Sequence, residues 1–191
     1  MQIGTNHLGH FLLSGLLFDL VEEASGRIVT VSSIAHKYGR MYLDDLMMTE
    51  NYSPTYAYSQ SKLANMLFTI ELDRKLKSSG SKVSCYACHP GYSETSLQST
   101  GPTGFWKGIY KISNALMAQP AAKGAIPTVL CAAGTEAVPG AYYGPTGMGE
   151  SRGPVGDAFV SEKAFNEADA QNLWQQSEAL VNFSWNQVLS T

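Results

Sequence analysis

The chain has 191 residues, of which 44% are hydrophobic and 15% charged, with 18 glycines and three cysteines. That length buries a core without metal or disulfide staples, and so few cysteines, odd in number, exclude a disulfide scaffold and fit a reducing compartment. Thirteen Lys and Arg against sixteen Asp and Glu give a formal charge of −3, which leaves no basic stripe for nucleic acid.

Helical and strand patterns alternate along the chain. Residues 6–24 place Leu8, Phe11, Leu12, Gly15, Leu16 and Leu20 at helical spacing before Ser25-Gly26 stops the run. The most apolar part, Phe11 to Val21, is broken by Ser14, Gly15 and Asp19, well short of the roughly 20 apolar residues of a membrane span. No Lys or Arg precedes it, as a signal peptide requires, so a cytoplasmic location is expected. Arg27 to Ser32 is a short β-branched run of the kind buried in parallel sheets. A polar connection with Tyr and Met follows, from His36 to Pro54. Residues 56–77 predict the longest helix, with Leu63, Leu67, Ile70 and Leu76 on one face, lysines near its end and Ser78-Ser79-Gly80 beyond.

Lys82 to Cys88 predicts a second buried strand, broken by His89-Pro90-Gly91. Residues 92–119 read as irregular, rich in glycine and aromatics. Pro120 to Ala133 predicts a helix despite Gly124 and Pro127. A short strand over 141–145, a Gly/Pro loop to Asp157 and a final helix over 162–182 complete the chain. This alternation predicts an α/β fold with a parallel sheet and right-handed crossovers.

The chemistry centres on Tyr58-Ser59-Gln60-Ser61-Lys62, which puts a phenol and an ammonium one helical turn apart. Free tyrosine titrates near pH 10, and a neighbouring cation favours the phenolate and brings proton transfer toward neutral pH. Alone, such a pair is an ordinary solvated helix face. Here a buried strand ends in Ser32-Ser33, 25 residues before Tyr58, at the edge where open α/β sheets place their ligands. A hydroxyl there could hold a carbonyl oxygen while Tyr58 protonates it. Ser32 could equally be a strand-end hydroxyl, and Asn6 a helix cap.

Four ordered motifs, NHLGHF at 6–11, RIVTVSSIAH at 27–36, YSQSKLAN at 58–65 and HPGYSET at 89–95, make the chain resemble the short-chain dehydrogenase/reductase family. The similarity is to its retinol-dehydrogenase-like branch, which includes the oxidoreductase portion of the WW-domain oxidoreductases. The resemblance implies a Rossmann-type parallel sheet with flanking helices, residues 1–191 forming a single partial dehydrogenase domain. It implies hydride transfer between NAD or NADP and a small-molecule alcohol or carbonyl, expected to be lipophilic. By position, Tyr58 is implied as acid/base and Lys62 as the cation that tunes it and binds the nicotinamide ribose. Ser33 is implied to orient the substrate oxygen and Asn6 to hold a relay water. Pro90, Gly91, Tyr92 and Thr95 are implied to line the nicotinamide and pyrophosphate side of the cofactor.

The family's glycine-rich turn lies well before the catalytic Asn, whereas five residues precede Asn6. At about 30 residues per βαβ unit, about 90 residues carrying the adenosine pocket are expected to be missing from the N-terminus. The strand at 27–32 is then expected to be an open edge that invites association. In the family the helices matching 6–24 and 56–77 commonly pair across a dimer, so a homo-oligomer is expected. An inactive fragment acting as a dimerising module is the competing reading.

Three other features are weighed against these. Thr103 to Tyr110 imitates the family's phosphate turn but follows the active-site helix, and it reads either as a lid carrying Phe105, Trp106 and Tyr110 or as local packing. Cys85 and Cys88 have redox spacing, but an offset of three on a strand points them to opposite faces. His7 and His10 lack the third ligand of a metal site.

Overall fold

The computed structural model describes residues 1–92 and 120–189. Its sheet begins with β1 (Arg27–Val31) and β2 (Ser84–Cys88), paired in parallel from Arg27↔Ser84 to Val31↔Cys88. β3 (Tyr142–Gly147) runs parallel to β2 through Ala87↔Tyr142 and Cys88↔Tyr143. The order β1-β2-β3-β4 leaves β1 at one edge of the described sheet, as its sequence position implied.

The fourth strand corrects the expected Gly/Pro loop. β4 (Arg152–Asp157) pairs antiparallel with β3, so the sheet is mixed at one margin. No hydrophobic alternation announces it, because it is an edge strand of Arg-Gly-Pro-Val-Gly-Asp with mostly exposed positions. Glycines make the pairing possible: a Cβ at Gly147 would stand 2.8 Å from the Arg152 carbonyl oxygen.

The helix expected over 6–24 is divided into three. A π-helical turn, Gly4–Leu8, leads into α1 (Gly9–Leu16), and Leu17 at φ −98° and ψ 1° separates α1 from α2 (Phe18–Glu23). α3 (Pro54–Ser79) starts with proline in its first turn and ends at Gly80, whose φ of +73° supplies the left-handed stop. α4 (Ala121–Ala133) accommodates Pro127. In place of one final helix, a 3-10 turn (Glu162–Phe165) precedes α5 (Glu167–Val181), and the Asn166 side chain caps α5 by accepting the Asp169 N–H at 3.1 Å. A short α6 (Asn186–Leu189) follows.

α3 packs between the sheet and the α5 side, so it is buried around most of its circumference, and a one-face pattern understates it. Leu63, Leu67, Leu72 and Leu76 are buried together with polar Ser59, Gln60, Ser61 and Asn65. Each leucine so placed contributes about 1.5–3 kcal/mol. Beneath it lies an aromatic cluster of Phe11, Phe18, Phe68, Trp174 and Trp185. On the opposite face of the sheet, α4 covers Tyr86, Cys88 and Tyr143 with Cys131. The strand parity separates the cysteines as their spacing requires: the Cys85 thiol donates to the Thr69 carbonyl of α3, and the Cys88 thiol meets the Thr128 hydroxyl of α4, both at 3.4 Å.

Candidate active site

The site forms where the carboxyl ends of β1 and β2 meet the first half of α3. Three hydrogen bonds staple that helix to the strand end. The Lys62 ammonium donates to the Val31 carbonyl at 3.1 Å, the Asn65 amide donates to the same oxygen at 3.1 Å, and the Ser32 hydroxyl donates to the Lys62 carbonyl at 2.8 Å. The two serines therefore differ. Ser32 is buried with its proton committed to α3, the strand-end role open to it from sequence. Ser33 is partly exposed, and its oxygen accepts the Ala35 N–H at 3.2 Å, a bond that does not use the hydroxyl proton.

Tyr58 is 38% exposed, one turn before Lys62, whose Nζ lies 5.7 Å from the centre of the phenol ring. Burial lowers the Lys62 pKa from the ordinary lysine value, against the opposing influence of the Cys88 thiol. Asn6 does not cap a helix. It sits inside the π-helical turn and donates from Nδ2 to Gln2 Oε1 and to Ser61 Oγ, each at 3.0 Å. Ser61 in turn donates to the Tyr58 carbonyl at 2.7 Å. A π turn re-aims a side chain relative to a regular helix, and here it delivers Asn6 to the backbone of the Tyr58 turn.

Pro90, Gly91 and Tyr92 leave β2 beside Ser32, whose N–H donates to the Cys88 carbonyl at 2.8 Å. Gly91 has φ +69°, and a Cβ there would overlap the Ser151 carbonyl, so glycine is demanded by the seating of this turn on the β3–β4 hairpin. Tyr92 completes that seating by donating its N–H to Ser151 at 2.7 Å. Thr95, the Thr103–Tyr110 segment and the lid residues Phe105, Trp106 and Tyr110 lie outside the described residues.

Sequence reasoning missed a group behind these loops: His36, Lys37, Tyr142 and Glu150, which surround His89. The only available signal was Glu150 itself, the sole acid in the glycine- and proline-rich stretch 144–156. His7 is a buried ring in the aromatic cluster, bonded to Ser177 at 2.8 Å. Burial lowers its pKa to about 4, with Asn65 opposing and His10 assisting.

A family model described as short chain dehydrogenase matches residues 2–103. Human retinol dehydrogenase 11 is 39% identical over 180 residues, which cover 93% of this chain and 52% of that protein. Human retinol dehydrogenase 14 is 37% identical, covering 95% and 52% respectively. The structure resembles the crystal structure of an uncharacterized protein from Mycobacterium paratuberculosis, with a TM-score of 0.76 and 38% identity over 96% of this chain and 59% of that one. The chain thus spans about half the length of the curated relatives it matches. With its strand-end serine, its Tyr-x-x-x-Lys helix and its Rossmann-like sheet, the chain belongs to the short-chain dehydrogenase/reductase family, on the retinol-dehydrogenase-like side.

Proposed function

We infer that this chain carries the catalytic portion of an NAD- or NADP-dependent oxidoreductase acting on a small, lipophilic alcohol or carbonyl, with residues 1–191 as one partial dehydrogenase domain. The observation that carries this reading is the exposed Tyr58 phenol beside Lys62, on a helix stapled to the strand end that presents Ser33. The names of the relatives point to a lipophilic alcohol such as retinol.

Lys62 and the Pro90–Tyr92 turn would hold the nicotinamide end of NADH or NADPH, which, when bound, would supply the hydride that the carbonyl carbon accepts in the reductive direction. Tyr58 gives its hydroxyl proton to the carbonyl oxygen, and Ser33 donates a second hydrogen bond to that oxygen and orients it. The Lys62 ammonium favours the phenolate that remains and offers a donor to the nicotinamide ribose. Asn6 holds the relay water that reprotonates Tyr58; both its amide protons are engaged, so it does so through an acceptor oxygen. Pro90, Gly91 and Tyr92 would line the nicotinamide side, and Thr95, outside the described residues, joins them on sequence position alone. These residues fit the nicotinamide end of the cofactor, with a cation at the sheet's carboxyl edge and a glycine turn beside it. Among the described residues no glycine-rich turn leads from a strand into a helix N-terminus, where a pyrophosphate would sit.

Self-association through the segments 6–24 and 56–77 accompanies this reading. Leu13, Leu16, Leu17 and Leu20 form an exposed stripe along α1 and α2, each 44–65% accessible. That stripe also supports the second reading, a dimerising module without turnover. A cytoplasmic location is part of the proposal; among the described residues no helix is long and apolar enough to cross a membrane. Fluorescence titration of the 191-residue chain with NADH and NADPH separates the two readings. Binding of either at millimolar or lower concentration is expected, and binding of neither, with a dimer by light scattering, selects the module.

A further inference from the structure

Behind Ser33 and the Pro90–Tyr92 turn, a buried polar cluster is held by hydrogen bonds whose directions can be read. The Ser161 N–H donates to His36 Nε2 at 3.1 Å, so the His36 proton sits on Nδ1, where it meets the Ser33 carbonyl at 2.7 Å. The Gly91 N–H donates to His89 Nδ1 at 3.1 Å, so the His89 proton sits on Nε2. That nitrogen is fully buried without a hydrogen-bond partner and faces Glu150 Oε2 at 3.8 Å. The Tyr142 ring lies between the imidazoles, with its centroid 5.3 Å from His36 and 5.2 Å from His89. Gly144 completes the fit, because a Cβ there would overlap the His89 ring.

Glu150 gathers these parts. Its Oε2 accepts from the Lys37 ammonium at 2.7 Å and its Oε1 from the Phe159 N–H at 2.7 Å. Lys37 belongs to the 3-10 turn Ile34–Tyr38, which Ser33 caps. Glu150 is also held in an unfavourable backbone conformation: Met148, Gly149 and Glu150 have φ of +47°, +63° and +66° in succession. Such a conformation is uncommon for a residue with a Cβ and persists where surrounding contacts impose it. A turn needing only its shape would be served by glycine or asparagine there. The carboxylate is what the neighbouring segments use.

We propose that Glu150 is a positioning residue for this site: from the β3–β4 hairpin its carboxylate fixes Lys37 on the Ser33 turn and faces the His89 proton at the exit of β2, holding the Ser33 hydroxyl and the Pro90–Tyr92 backbone in one register. The role rests on the functional reading above, and Glu150 acts through Lys37 and His89 rather than on the reacting groups themselves. A displacement of about 1 Å in such a site costs on the order of 100-fold in rate, so a residue that fixes two loops against each other governs the reaction without contacting it.

The test uses the 191-residue chain with Glu150→Gln, which keeps shape without charge, and Glu150→Asp, which keeps charge and tolerates a left-handed backbone. Amide exchange at Ala35, which reports the Ser33 hydroxyl bond, and at Gly91, which reports the His89 bond, is read beside thermal stability and NADH affinity. In Glu150→Gln, exchange at both amides is expected to rise about tenfold and NADH affinity to fall about tenfold, with exchange in β1 and β2 unchanged; Glu150→Asp recovers part of both. Unchanged exchange at Ala35 and Gly91 overturns the proposal, as does a rise spread evenly over the strands, which marks general destabilisation. If the parent chain binds neither NADH nor NADPH, the functional reading fails, and the two amides still decide whether Glu150 positions the loops.

Discussion

The two faces of the sheet are built to different standards. On the α3 face, 26 residues of one helix, the aromatic cluster and α5 form a continuous layer in which Phe11 and Phe68 lie 5.4 Å apart and Phe68 stacks on Trp174 at 5.7 Å. On the other face, α4 is the main cover among the described residues, and Val31, Ile126 and Val129 stay 41%, 49% and 61% exposed. The staples of the site belong to the first face. Ser32, Lys62 and Asn65 tie the strand end to α3, and Gln60 secures the preceding loop by donating to the Leu46 carbonyl at 2.9 Å and accepting the Tyr42 N–H at 2.8 Å. Buried polar groups are costly unless bonded. Their concentration along one turn of α3 shows where the fold spends packing space on geometry. The α4 face, beside an open parallel edge, has the apolar exposure of a surface suited to being covered.

The largest effect expected from this contrast is at Leu67, which is completely buried on the α3 face. Leu67→Ala should lower stability to urea by about 2–5 kcal/mol; a loss under about 1 kcal/mol would place the main core elsewhere. The next is acid sensitivity. His7, buried on the same face, has its pKa lowered from 6.5 to about 4 by burial, so the unfolded chain binds the proton that the folded chain refuses. The His7 contribution to stability is then complete above pH 6.5 and declines by about 3 kcal/mol as pH falls toward 4, beside that of His89, whose pKa burial likewise lowers to about 4. His7→Gln should flatten that decline, and an unchanged pH profile would mean that the ring is protonated in the fold. Ser32→Ala removes one staple and should cost about 1 kcal/mol, visible as a lowered thermal midpoint. The smallest effect is at Val129 on the α4 face, where alanine should change stability by no more than about 0.5 kcal/mol. A loss at Val129 equal to that at Leu67 would erase the difference between the faces.

Much of the fold was legible because its elements are strongly patterned. The β-branched run at Arg27–Val31 and the glycine stop after α3 appear where the sequence placed them. β4 was not legible, since an edge strand made of Gly, Pro and one half-buried Val carries no period-2 signal. The π turn at Gly4–Leu8 and the break at Leu17 were hidden within a helical pattern that continues across them. At the site, local spacing exposed Tyr58 and Lys62, since both lie on one helix. Glu150 and Lys37 stand 113 residues apart in sequence and meet through the hairpin's left-handed turn, which no local pattern encodes.

Steady-state oxidation of NADH or NADPH with a long-chain aldehyde, compared between the parent chain and Tyr58→Phe, tests most directly whether the exposed phenol beside Lys62 does the proton transfer. Turnover by the parent chain should fall about 10²- to 10⁴-fold in Tyr58→Phe, with cofactor affinity retained because only one hydroxyl is removed. Equal turnover in the two proteins, or none in the parent chain, would contradict it.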